Sequence, residues 1–130
     1  MGFFDAFKST RDIAKEEIKE IPWHMITSMK DLDTIAEESK DKTIAIFKHS
    51  TRCGISRMVL KQFEKNYSIE EKDIKLYYLD LIENRDISSE IAARFQVSHE
   101  SPQLLLIKGG KVVHHDSHHG IDAGHLEKFI

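Results

Sequence analysis

Two patterns of apolar residues alternate along the chain and set out its elements. After Pro22 and Trp23 a short extended stretch is expected at residues 24–27. Ser28 is then placed to cap a helix with Met29, Leu32, Ile35 and Ala36 on one face. A lysine- and acid-rich stretch closes that helix, and Thr43-Ile44-Ala45-Ile46-Phe47 follows as a nearly unbroken apolar run. Such a run is the pattern of a strand buried on both faces, so it is expected at the centre of a sheet. Helical spacing returns with Ile55, Met58, Val59, Gln62 and Phe63, leaving Arg57, Lys61 and Glu64 for the solvent side. Residues 74–81 are rich in aromatic and branched side chains and predict a strand. Ile87, Ile91, Ala92 and Phe95 mark a further helix, with Ser88 and Ser89 near its start. The last third holds residues 103–107, a Gly109-Gly110 turn and residues 111–114, which together predict a β-hairpin, then a final helix carrying Leu126, Phe129 and Ile130. The order β-α-β-α-β-α-β-β-α predicts an α/β fold, a central mixed sheet of four to five strands flanked by helices.

Length and composition narrow this further. At 130 residues the chain fits one domain able to bury a core without staples. Its 40% hydrophobic and 32% charged residues are ordinary for a soluble protein, and a net charge of −3 offers no attraction to nucleic acid or to an anionic membrane. Neither partner is expected. Residues 1–22 form an expected amphipathic leader helix, with Phe3, Phe4, Phe7, Ile13, Ala14, Ile18 and Ile21 among charged residues, ahead of a domain at 23–130. The opening Met1-Gly2 is not followed by the serine or threonine that acylation would need at Ala6, which argues against lipidation.

Chemistry concentrates at the single cysteine, Cys53, in Thr51-Arg52-Cys53-Gly54-Ile55-Ser56. It lies between the buried run and a helical segment, where unpaired backbone N–H groups and the helix dipole stabilise a thiolate. With no second cysteine there is no internal disulfide, so a redox cycle must pass through a mixed disulfide with another molecule. A single thiol and no secretory signal point to the reducing cytoplasm. His49, before the cysteine loop, and His99, before Ser101-Pro102, are each placed to add positive charge near the thiolate. The run His114-His115-Asp116-Ser117-His118-His119 has donors suited to zinc, nickel or copper but no structural zinc spacing. It reads as a solvated loop, and no metal is expected.

A buried strand, a Cys-x-x-Ser turn into a helix, a later x-Pro opening a hairpin and a closing helix resemble the thioredoxin fold over residues 24–130. The stretch Ser101-Pro102-Gln103-Leu104-Leu105-Leu106 through Gly109-Gly110-Lys111-Val112-Val113 is the most specific part. More narrowly, Thr51-Arg52-Cys53-Gly54-Ile55-Ser56 resembles the YtxJ-like family, the monothiol bacilliredoxins of bacteria that use bacillithiol. The resemblance implies a thiol-disulfide oxidoreductase that removes bacillithiol from S-bacillithiolated client proteins. It implies Cys53 as nucleophile, Arg52, Gly54, Ser56, Ser101 and Pro102 as substrate-binding residues, a cis Ser101–Pro102 bond, and bacillithiol as co-substrate with no tightly bound cofactor. Ser56 stands where thioredoxin has its resolving cysteine, and Phe47 where it keeps a buried acid. These departures fit together, since a carboxylate that manages a resolving thiol has no return for its desolvation once that thiol is gone. Arg52 replaces a tryptophan and makes the rim cationic, suiting a thiol that bears carboxylates. A hydroxyl at Ser56 could donate to the thiolate, or merely fill the second-cysteine position. Two other functions share the motif: an iron–sulfur carrier like the monothiol glutaredoxins, whose Cys-Gly-Phe-Ser it resembles, and a partner-binding module in which Cys53 is incidental.

Overall fold

The computed structural model describes residues 21–130, so the expected leader lies outside them apart from Ile21 and Pro22. Five strands form one mixed sheet: β1 (His24–Met25), β2 (Thr43–His49), β3 (Ile74–Asp80), β4 (Gln103–Lys108) and β5 (Lys111–Ser117), in the spatial order β1-β3-β2-β4-β5. Between them run α1 (Met29–Glu38), α2 (Gly54–Asn66) and α3 (Arg85–Phe95). β1 and β2 are both parallel to β3, which requires helical crossovers, while β2–β4 and β4–β5 are antiparallel. The β4–β5 turn consists of Gly109 and Gly110 at φ +61° and +77°. Positive φ at both central residues is the demand of a tight two-residue hairpin turn, and glycine meets it without a steric penalty.

Every residue of β2 is buried, as a strand with helices on both faces must be. The period of two then sorts its side chains into two layers. Ile44 and Ile46 join Leu32 and Ile35 of α1 and Ile87, Ile91 and Phe95 of α3. Ala45 and Phe47 join Val59 and Phe63 of α2 together with Ala123 and Leu126 near the chain end. Phe47, at the position of the thioredoxin acid, meets Phe63 at 5.4 Å and Trp23 at 5.9 Å between ring centroids. An aromatic cluster thus fills the space under α2. Ser28 does precede α1, where the Asp31 carboxylate accepts from the N–H groups of Thr27 and Ser28 at 2.9 and 3.1 Å.

Three expectations change. Ile55 and Met58 are not on the buried face of α2 but 51% and 53% exposed, because the helix meets the sheet through Ser56, Val59 and Phe63. The final helix is a 3-10 segment, Ala123–Phe129, opened by Asp122, whose carboxylate accepts the Gly124 N–H at 2.8 Å. Three residues per turn set Ala123, Leu126 and Phe129 on one side against the core, and Gly124 lowers the propensity for the wider α turn. The histidine run is no solvated loop, since His114 to Ser117 belong to β5 and pair with β4.

Candidate active site

β2 ends at His49, and the loop that follows turns back on itself with the Cys53 N–H donating to the Ser50 carbonyl at 3.1 Å. Cys53 is the N-cap of α2, in extended backbone (φ −98°, ψ 120°), and its free thiol is partly exposed. The first turn of a helix has N–H groups without intrahelical partners and carries the positive end of the dipole, and Cys53 stands at that end of α2. Arg52 and Gly54, on either side, are exposed.

A second guanidinium joins them. Arg57, assigned by its spacing to the solvent side, folds back so that its terminal nitrogen lies 4.0 Å from where a side chain on Gly54 would begin. Its charge also reaches His49, on which it acts to lower the pKa. The rim beside Cys53 is therefore cationic on both sides of the thiol in the chain. Ile55 and Met58 add exposed apolar surface to the same helix start.

Ser56 is fully buried. Its oxygen accepts the Ser50 N–H at 3.1 Å and lies 2.8 Å from Nδ1 of His49, which ties the cysteine loop to the end of β2 rather than offering the hydroxyl to the thiol. The residue in the place of a resolving cysteine is thus a pin for the loop. Ser56→Ala would leave the partly buried Ser50 N–H and the buried imidazole of His49 without this partner, and should lower the unfolding free energy by ~1–3 kcal/mol. Denaturant unfolding checks this, and an unchanged midpoint would remove the pin from the account.

Ser101 and Pro102 arrive from the other strand. The Lys48↔Gln103 pair is the last of the β2–β4 register, so Pro102 comes just before it, at the end of the sheet where β2 passes into the cysteine loop. The Ser101–Pro102 bond is cis, as the resemblance implied. Pro102 is buried, and Ser101 Oγ is sealed from solvent with no hydrogen-bond partner among the described residues. Buried hydroxyls are normally satisfied, and this one is not.

Neither histidine supplies positive charge. Burial lowers the pKa of His49, outweighing the carboxylates of Asp80 and Glu64 that raise it. For His99 partial burial, then the nearby Lys48, act in the same direction. Both imidazoles are neutral at neutral pH, because a ring removed from water beside a cation disfavours its own charge. The residue that sequence reasoning missed is Lys48. It is fully buried at the end of β2, with Nζ 2.7 Å from His99 Nδ1 and 3.1 Å from Gln103 Oε1. Gln103 donates onward to the Ser98 carbonyl at 2.9 Å, so one ammonium group ties together the segment leading to Pro102. Burial pushes the lysine down to about 8.

A partly exposed thiol at a helix start and a cis-proline at the same end of this mixed sheet belong to the thioredoxin-fold thiol-redox proteins. Among solved structures, one described as a candidate oxidoreductase with a thioredoxin fold is 32% identical, with a TM-score of 0.70 over 82% of this chain and 92% of its own. Two thioredoxins share the fold at lower identity. That of Malassezia sympodialis is 21% identical (TM-score 0.64, covering 85% of this chain and 88% of that one), and thioredoxin O2 of Arabidopsis thaliana is 19% identical (0.57, 82% and 90%). Residues 24–126 match the family described as monothiol bacilliredoxin BrxC, and the chain belongs to that family. Among the described residues no helix is long and apolar enough to cross a membrane.

Proposed function

We propose that the protein removes bacillithiol from S-bacillithiolated client proteins in the cytoplasm. The Cys53 thiolate attacks the bacillithiol sulfur of the client disulfide. The bond between that sulfur and the client sulfur breaks, the client leaves as a thiolate, and Cys53 now carries bacillithiol. A second bacillithiol thiolate attacks the outer sulfur of this adduct, releasing Cys53 and bacillithiol disulfide, so one disulfide is consumed and one is formed.

The observation that carries this reading is a partly exposed lone thiol at the N-cap of α2 with a serine, already bonded elsewhere, at the second-cysteine position. Such a site can accept a sulfur but has no internal thiol to expel it, so a small thiol must finish the cycle. Arg52, aided by Arg57, supplies charge for the carboxylates of bacillithiol. The backbone of Gly54 and of Ser101–Pro102 offers pairing to the bound thiol or client segment. Ser56 shapes this site through the loop.

Intact-mass measurement tests the cycle. Incubation with a bacillithiolated client should add one bacillithiol to the peptide holding Cys53, and free bacillithiol should discharge it as the symmetrical disulfide. Client release with no adduct on Cys53 at any time would sink the proposal.

A further inference from the structure

Away from the thiol, β5 and the chain end bring together three side chains that the reading above does not use. His114 and Asp116 are two residues apart on β5, hence on the same face of the sheet. Their cross-strand partners Leu106 and Leu104 point into the layer shared with Leu126, and the 3-10 segment that covers this layer carries His125. One oxygen of Asp116 lies 2.9 Å from His114 Nε2 and 3.2 Å from His125 Nδ1, and the three donor atoms all fall within 4.8 Å of one another. All three residues are partly buried.

We propose that His114, Asp116 and His125 form a binding site for a divalent transition-metal ion of the zinc type, with the fourth position open to water. Two imidazoles and a carboxylate are a donor set for such ions, and on a tetrahedron with metal bonds of ~2.0–2.2 Å neighbouring donors are roughly 3.3 Å apart. The two distances to Asp116 already lie close to that spacing. Because a carboxylate only accepts, it draws both ring nitrogens toward one point before an ion arrives, so little reorganisation is needed beyond loss of the ring protons. The outer groups are also those of a metal site. Nε2 of His125 faces the Asp122 carboxylate at 3.8 Å, so a second carboxylate stands on the far side of that ring. Asp122 is itself held by the Gly124 N–H, and the His114 ring packs on Phe129 at 5.2 Å.

The ion would tie the 3-10 segment to β5. That link ends close to the thiol site, since the His118 N–H donates to the Pro102 carbonyl at 3.0 Å, two residues beyond Asp116. The histidine run does not act as a whole: His115, between the two β5 ligands, lies on the opposite face, and the third ligand comes from outside the run.

Titration of the full chain with Zn2+ by calorimetry, and with Co2+ by visible absorption, tests the site. One equivalent should bind, with the d–d bands of four-coordinate Co2+, and a Cys53→Ser variant should bind equally, which excludes the thiol as the ligand. His125→Ala and Asp116→Asn should each weaken binding by at least ~100-fold, while a variant with His115, His118 and His119 all changed to alanine retains it. Zn2+ should raise the melting temperature of the wild type and not of His125→Ala. Circular dichroism confirms that the variants are folded, and Asp116→Asn keeps the side chain's shape if His125→Ala is not. Absence of one-equivalent binding, or binding that survives His125→Ala and Asp116→Asn but is lost in the triple variant, would overturn the assignment.

Discussion

Cys53→Ser is expected to abolish transfer of bacillithiol from a client, with a fall in rate on the order of a thousandfold or more, the scale seen when an enzyme loses its nucleophile. A serine hydroxyl is not ionised at neutral pH and does not attack sulfur, and among all residues of the chain no other thiol can stand in for it. The same substitution should leave stability within ~0.5 kcal/mol, because the thiol is partly exposed and anchors nothing in the core. Release of free bacillithiol, followed against the uncatalysed reaction, together with a denaturant curve, separates the two quantities. A variant that is folded and still active would show that the chemistry lies elsewhere, whereas a wild type that transfers no bacillithiol and binds its partners as well as Cys53→Ser does would favour the reading of the fold as an interaction module.

The second large effect concerns Lys48. In the unfolded chain its amine holds a proton up to about 10.5, whereas in the fold burial brings this down to about 8. Between those values the unfolded state binds more protons, so this group makes the protein more stable as pH rises and less stable when charged, below about 8. A shift of that size corresponds to on the order of 3 kcal/mol. Lys48→Met removes the titration and keeps the volume. The wild type should therefore gain about 2.5 kcal/mol of this relative to the variant between about pH 7 and about pH 10, as the linkage relation requires. Guanidinium unfolding of both proteins at the two pH values measures it, and a pH-independent difference would mean that the lysine is solvated in the native state.

Why a charge is kept where methionine would fit follows from its partners. Lys48 is the only described cation that reaches His99, Gln103 and, through Gln103, the Ser98 carbonyl, and these hold the segment that delivers Ser101 and Pro102. An apolar side chain would pack but would leave the Gln103 Oε1 without its donor and His99 with only the Ser88 hydroxyl, 3.2 Å from its Nδ1. Fold stability and site geometry thus pull in opposite directions at one residue.

Much of this was legible in the sequence because it is local. The apolar run of β2, the glycine pair of the hairpin and the lone cysteine before a helix are each set by a few consecutive residues. Lys48 was not legible, since a lysine after three aliphatic residues and a phenylalanine reads as the end of a strand. Its partners lie 51 and 55 residues further on. Arg57 looked like a solvated helix charge because spacing gives a face but not the rotamer that brings a guanidinium back over Gly54. Ser56 could be read as thiolate donor or filler, and only its depth beneath the loop, beside His49, gave it a role as a pin.

By itself the sequence determined the order of elements, the two-faced burial of the central strand and the fact that only one sulfur is available, all of which follow from short-range periodicity and from composition. The tertiary structure decided which side chains meet: which face of α2 is buried, which charges surround the thiol, and that His125 comes to His114 and Asp116. Those are consequences of sheet register and helix rotation, and a one-residue change in either would send every one of these side chains to a different neighbour.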